Sequence, residues 1–373
     1  ADPVCISTEI QEQIDEMKER LSDYEVSGCV FNAHLKDEPV SLKKKAIGKT
    51  RVFSGANFPW TIIMRQYCLS FVRVLQTNNL LFEAAIGVNH FSNQWENFYQ
   101  YLTKFGETRC IAGDYSKFDK RMAPTFVLAA FDLIAKVLKD SGNYTTQDLD
   151  IVRCLAYDVA FAYQDFNGDL VQFFGGNPSG HSLTVIINGI VNSLYMRYAY
   201  YNLNPQKEVY SFKRCVNLLT YGDDNIANVS AVTGWFNHTA ISDELAKIGV
   251  VYTMADKETI SVPYISINEC SFLKRTWRYE RDVGLHVAPL DLKSVYRSLS
   301  VWVRSKSITS EEQMIEIIGA ANSEFFSHGR EVFDAGQAHL RVIIKEMNLA
   351  RYVTDITLMS YDDLVRRHMT ASQ

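Results

Sequence analysis

The chain has 373 residues, 47% of them hydrophobic, and carries 38 basic against 43 acidic side chains. That length and apolar content can bury a substantial core and point to a large soluble globular protein of two or three lobes. Seven dispersed cysteines, odd in number and without a Cys-x-x-Cys pair, argue for reduced core thiols and against a zinc site or a disulfide framework.

In chain order, Ala1 to Ile10 lacks the pattern of a secretory signal. Thr8 to Asp23 reads as an acidic amphipathic helix, with Thr8 and Gln11 as a capping box and Ile10, Ile14, Met17 and Leu21 on one face. Lys36 to Arg51 then holds six basic residues against two acidic ones. A charge run is usually a solvated face, but in a net acidic chain this concentration also suits a phosphate-facing surface. A helix is expected through Ile62 to Leu75.

Arg109 to Gly113 reads as a strand ending at Asp114, and Pro124 suits the first turn of the next helix, so Asp114 and Asp119 flank a strand-to-helix junction. Either they are a solvated strand end and a helix-proximal cap, or they are ligands. Gly175-Gly176-Asn177-Pro178-Ser179-Gly180 opens a helix over His181 to Tyr200 in which Thr184, Asn188 and Asn192 recur every fourth position on one face. Such a stripe serves either internal hydrogen bonds or a ligand. The same stretch is the most apolar in the chain, yet Asn188, Asn192 and Arg197 argue against a membrane span.

Val216 to Leu219 and Ile226 to Val229 read as two strands joined through Tyr221-Gly222-Asp223-Asp224. Gly, Asp and Asn are what a tight turn prefers, but adjacent carboxylates at a hairpin tip are also where a hard cation can reach their oxygens. Farther on, Lys274, Arg275, Arg278 and Arg281 interleave with Trp277 and Tyr279, as suits a grip on a nucleic-acid strand. After a polar break at Ser307 to Ser310, helices are expected over Glu311 to Asn322 and Ala335 to Met347. There is no internal repeat and no Gly, Ser or Pro-rich connector.

The Asp114 to Asp119 segment, the Gly175 to Asn188 segment and the Tyr221 to Asp224 turn, in this order, resemble motifs A, B and C of the RNA-dependent RNA polymerases of picorna-like positive-strand RNA viruses. Lys36-Asp37-Glu38 with Gly48 to Arg51 resembles motif F, Ala255-Asp256-Lys257 motif D and Phe272 to Arg275 motif E, while Pro289 to Arg304 resembles the start of the thumb in the insect and marine members. The resemblance implies an α+β right-hand fold with an antiparallel palm sheet flanked by helices. Fingers would occupy 1–105 and 144–174, palm 106–143 and 175–275, and a helical thumb 276–373.

It further implies template-directed RNA synthesis with two Mg2+ or Mn2+ ions held by Asp114, Asp223, Asp224 and the carbonyl of Tyr115. Lys257 would be a general acid; Lys36, Lys49, Arg51, Ser179 and Gly180 would contact the nucleotide; Asp119, Thr184 and Asn188 would sense its ribose hydroxyl; Lys274 and Arg275 would contact RNA. The implied partners are RNA template and primer, ribonucleoside triphosphates, a small viral protein primer and other replication proteins, at membrane-associated complexes in the host cytoplasm. Asp119 argues for an RNA product and against a reverse transcriptase, which would be expected to place a bulky residue there. Two departures stand out. Pro39-Val40 follows the Lys-Asp-Glu where the family carries a basic residue, displacing the cations to Lys43 through Lys45. The long fingers segment that normally precedes motif F is not recognisable before Lys36, so the chain is expected to be a fragment or a short form, with a catalytically silent RNA-binding scaffold as the alternative.

Overall fold

The computed structural model describes residues 5–256 and 259–371. They divide into two compact units, Ala1–Ile86 with Gly113–Pro263, and Gly87–Ala112 with Tyr264–Gln373.

Among the described residues there are two four-stranded sheets, one of them wholly within the first unit. One has the order β2-β1-β4-β5 and consists of β1 (Val30–Leu35), β2 (Val52–Gly55), β4 (Tyr163–Phe166) and β5 (Asp169–Gln172). In it β1 runs antiparallel to β2 and parallel to β4. The other has the order β6-β7-β3-β8, from β3 (Cys110–Tyr115), β6 (Val216–Tyr221), β7 (Asp224–Val229) and β8 (Tyr252–Met254). Strands β3, β6 and β7 are buried almost along their whole length, with Asn217, Thr220, Asn225 and Asn228 among apolar neighbours, the pattern of a sheet covered on both faces.

Helix Thr184–Leu203 is buried nearly all round, including Ile186, Ile187, Asn188, Val191, Asn192 and Tyr195, as befits a central rather than a surface helix. It begins three residues later than the apolar pattern suggests, because His181 to Leu183 form a turn whose first carbonyl accepts from Thr184 N–H at 3.2 Å. Helix Phe58–Thr77 is started by Asn57, which accepts from Trp60 N–H, and by Pro59 in its first turn, and it buries Trp60, Ile63, Met64, Cys68, Phe71 and Leu75. The acidic helix is Thr8–Ser22, but its cap is Ser7 rather than Thr8: Ser7 has the extended backbone a cap needs and its hydroxyl meets Ile10 N–H, while Gln11 bonds Asp15 instead of closing a capping box. Cys5 is exposed and Cys215 half-buried, whereas the other five cysteines are buried as expected of core thiols. No helix among the described residues is long and apolar enough to cross a membrane.

The second unit is mostly helical around a two-stranded pair, β9 (Arg278–Glu280) and β10 (Leu285–Val287). Helix Ser310–Phe326 starts at a capping box formed by Thr309 and Glu312, and helix Arg330–Glu346 starts earlier than its apolar pattern because Gly329 breaks the chain just before it. Their inner faces join Ile315, Ile318, Phe325, Phe333 and Leu340 to Val287, Val295 and Tyr361 in one core. Beside it Arg275 grips Glu324 with two hydrogen bonds of 2.8 and 2.7 Å, and His90 lies 3.5 Å from the same carboxylate. Burial works against the charge on Glu324, but the guanidinium fork and the nearby imidazole outweigh it and hold its pKa at about 2, below the ordinary 4.5.

A carboxylate with a depressed folded pKa stabilises the fold fully above its unfolded value and progressively less as pH falls through the folded one. Glu324→Gln is therefore expected to cost about 3 kcal/mol at pH 6, and that cost should shrink as pH falls from 4.5 towards 2. Denaturant unfolding of both proteins at pH 6 and pH 3 measures it, and a difference independent of pH would remove the ion pair from the account.

Candidate active site

The carboxylates expected to act together sit on adjoining strands. Strands β6 and β7 pair in register up to Tyr221↔Asp224, which leaves only Gly222 and Asp223 as the turn. Gly222 has φ +63°, the conformation a Gly-first two-residue hairpin requires. Asp223 is exposed at the tip, and Asp224, half-buried, is the first residue of β7. Strand β7 neighbours β3, where Asp114 pairs with Thr253 of β8 and Tyr115 is the last residue. Successive strand residues face opposite ways, so Asp114 and Tyr115 point to different sides of the sheet.

The Tyr115 side supplies the link. Its hydroxyl donates to Asn192 Oδ1 at 3.0 Å, and Asn192 Nδ2 lies 3.1, 3.2 and 3.2 Å from the carbonyls of Gly222, Asp223 and Asp224. Asn225 Nδ2 also donates to Asn192 Oδ1, at 3.3 Å, and Tyr252 of β8 donates to Asn225 Oδ1 at 2.7 Å. Asn192 is fully buried. Burial drives the Tyr115 and Tyr252 pKa values upward, and Asp223 and Asp114 push the same way, so both phenols stay protonated and remain donors. One amide thus ties the strand of Asp114 to the turn of Asp223 and Asp224.

A second network surrounds the glycine loop. Gly176 N–H donates to Met122 O at 2.7 Å and Asn177 N–H to Asp119 O at 2.8 Å, stitching the loop onto the turn after β3. A side chain at Gly176 would bring its Cβ within 2.8 Å of Asp119 O, and one at Gly180 within 2.4 Å of Ser54 O, so only glycine permits these approaches. Ser54 N–H donates to Ser179 Oγ at 3.2 Å, and Ala56 N–H to Gly180 O at 3.2 Å. Asn177 reaches Asn188 Oδ1 at 2.8 Å and Thr184 O at 3.0 Å, while the Thr184 hydroxyl is engaged by Pro178 O, at 2.9 Å, within its own loop. Asp119, Asn177 and Ser179 line a cavity of about 160 Å³. Asp119, Ser179, Gly180, Thr184 and Asn188 are therefore brought together.

The other expected residues fall elsewhere. Lys36, Lys49 and Arg51 are exposed on the excursion between β1 and β2, where Glu38 approaches Lys36 at 3.5 Å and Arg51 at 3.6 Å. Lys257 lies outside the described residues. Lys274 is exposed in a tight turn of the second unit, with φ +60° at Lys274 and +56° at Leu273, and the neighbouring Arg275 spends its guanidinium on Glu324 and Ala288 O. Among the described residues no three His, Cys, Asp or Glu side chains converge tightly enough to enclose a metal ion unaided. Sequence patterns did not single out Asn177, His181, Asn225 or the Tyr115 hydroxyl; only Asn192 had a signal, as the third member of the polar stripe.

The family model for viral RNA-dependent RNA polymerases matches residues 6–348. The chain belongs to this family. It is 30% identical over 336 residues to the replicase polyprotein of Drosophila C virus and 29% identical over 336 residues to that of cricket paralysis virus, in each case over 87% of this chain. The RNA1 polyprotein of cherry rasp leaf virus is 33% identical over 80% of the chain. The chain spans only 19%, 19% and 14% of these three polyproteins. Among solved structures, the Sicinivirus 3Dpol RNA dependent RNA polymerase matches with a TM-score of 0.79 at 18% identity, over 98% of this chain and 71% of that one. The fold is thus the right-hand polymerase fold that the motif order implied.

Within this polymerase fold, removing the Asn192 amide takes the acceptor from the buried Tyr115 phenol and the amide contact from the turn carbonyls. Asn192→Leu is expected to lower stability by about 3 kcal/mol. Chemical denaturation reads the effect; wild-type stability in the variant would mean the amide is not the link.

Proposed function

We propose that this chain catalyses template-directed RNA synthesis. The RNA 3′-hydroxyl loses its proton and its oxygen bonds to the α-phosphorus of a ribonucleoside triphosphate, while the bond from that phosphorus to the bridging oxygen breaks and pyrophosphate leaves. The observation that carries this is the Asn192 link between β3 and the β6–β7 turn, because it sets carboxylates from two distant chain segments on adjoining strands.

The donor set fits a hard divalent cation: Asp114, Asp223 and Asp224 offer only oxygen ligands at a strand and a turn that are exposed or half-buried. A closed protein cage is not needed for Mg2+, which keeps several waters and takes substrate phosphates besides one or two carboxylates. Two such ions, Mg2+ or Mn2+, held by these carboxylates and the Tyr115 carbonyl, would supply activation of the 3′-hydroxyl and shielding of the leaving group. The protein's own contribution is placement: Asn192 holds the turn carbonyls so that its carboxylates face outward.

Asp119 and Asn188 read the ribose 2′-hydroxyl, which can both donate and accept, and a deoxynucleotide would leave buried groups unpaired there. Thr184 acts from behind by fixing the loop, since its hydroxyl is engaged with Pro178. Ser179 and Gly180 line the nucleotide's approach, Lys36, Lys49 and Arg51 meet the triphosphate, and Lys257 protonates the departing pyrophosphate. In the second unit Lys274 contacts RNA directly, and Arg275 acts by holding the turn that carries it. A small protein primer, further replication proteins and membrane-associated complexes in the host cytoplasm complete the proposed setting.

Primer extension on RNA with Mg2+ or Mn2+ tests this. Asp114→Asn and Asp223→Asn are expected to lower incorporation by about a thousandfold or more, several kcal/mol of barrier. RNA affinity, which rests on cationic segments, should stay near wild type. Incorporation within about tenfold of wild type would defeat the metal assignment. RNA binding by the wild-type chain with no extension under either metal would favour a catalytically silent scaffold.

A further inference from the structure

The glycine loop that touches both Asp119 and Asn188 contains a chain of hydrogen bonds whose direction is fixed at two backbone points. Leu183 N–H, which can only donate, points at His181 Nδ1 at 3.3 Å. The ring proton therefore sits on Nε2, and Nε2–H donates to Asn177 Oδ1 at 2.7 Å. Burial pushes the His181 pKa down to about 3, so the ring is neutral at ordinary pH and has this single N–H to give. At the other end, Asn177 Nδ2 meets the carbonyl of Thr184, which can only accept, at 3.0 Å. The Asn177 amide is thus oriented twice over, by a donor on its oxygen and an acceptor on its nitrogen.

That orientation dictates the next link. Asn177 Nδ2 also donates to Asn188 Oδ1 at 2.8 Å, so the Asn188 carbonyl is occupied and its Nδ2 is turned the other way. Among the described residues no protein acceptor meets Asn188 Nδ2, and it is not sealed from solvent. Both asparagines and His181 are buried. Asn177 N–H meanwhile holds Asp119 O, so one residue touches both members of the proposed sugar-reading pair.

We propose that His181 and Asn177 form a directional relay that presents Asn188 to the incoming nucleotide only as a hydrogen-bond donor, with Asp119 as the complementary acceptor. This rests on the reading that Asn188 and Asp119 meet the ribose 2′-hydroxyl. A hydroxyl satisfies the pair by accepting from Asn188 and donating to Asp119, which a 2′-hydrogen cannot do. His181 and Asn177 are positioning residues: they act through Asn188, by preventing its amide from flipping.

The test is discrimination between ribo- and deoxyribonucleoside triphosphates, measured as the ratio of kcat/KM values in primer extension. Asn177→Asp keeps the shape but cannot donate, so Asn188 must turn its Nδ2 inward and offer a carbonyl to the sugar. Discrimination is expected to fall about tenfold, through a higher KM for ribonucleotides, with little change on deoxyribonucleotides. Combining Asn177→Asp with Asn188→Ala should add nothing to the loss from Asn188→Ala alone; an additive loss overturns the relay. His181→Leu keeps apolar bulk against Phe31 and Trp60 and should give the same fall, and His181→Gln, which restores an N–H, should largely reverse it. If Asn177→Asp does not fold, unchanged discrimination in His181→Leu overturns the relay. If Asn188→Ala lowers discrimination and both neighbours leave it unchanged, the relay is wrong and the sugar reading stands. If Asn188→Ala itself has no effect, the sugar reading fails and the relay with it.

Discussion

One buried amide, Asn192, holds the candidate active site in its geometry. Its oxygen receives Tyr115 from the strand that carries Asp114, and its nitrogen faces the carbonyls of the turn that carries Asp223 and Asp224. A buried asparagine without partners would be costly, and here its oxygen takes the Tyr115 hydroxyl while its two N–H groups are shared among the turn carbonyls. With the turn backbone paired inward, the carboxylates are left on the outer side of a hairpin whose Gly222 has no strain to relieve. The phenols of Tyr115 and Tyr252 complete the network and, being held protonated by burial, keep its polarity fixed.

The second hub lies one helical turn away. Asn188 and Asn192 are four residues apart on helix Thr184–Leu203, so they share a face of a helix that is otherwise packed on every side. The first connects through Asn177 to the Asp119 turn and the second connects to the strand of Asp114 and the turn of Asp223. The helix therefore acts as a spine that relates the proposed sugar-reading group to the proposed metal ligands. Its all-round burial matters here, because a helix free to roll would move both hubs together and spoil both contacts.

Much of this was legible in the sequence wherever the signal is local. Pro124 marks a helix start, apolar runs around Gly222-Asp223 mark a hairpin, and a four-residue polar period marks the inner face of the central helix; all three appear in the structure. Side-chain partnerships over long sequence distances were not legible. Arg275 reads as one cation in a basic cluster, yet its partner Glu324 lies 49 residues on, so its charge is satisfied internally. Asn177, between Gly176 and Pro178, looks like an ordinary turn former, and nothing in its neighbours reveals that its side chain connects His181 to Asn188. The cap at Ser7 was missed for the opposite reason: Ser7 and Thr8 are equivalent by type, and only the backbone conformation chooses between them.

The central claim is that Asp114 and Asp223 act as one cation-binding group although one comes from a strand and the other from a distant turn. The most direct measurement is anomalous diffraction from crystals of the protein soaked in Mn2+ with a nucleoside triphosphate. Anomalous density coordinated by carboxylate oxygens of both Asp114 and Asp223 is the expected result. Density on only one of the two, or on neither while the triphosphate is bound, would contradict it.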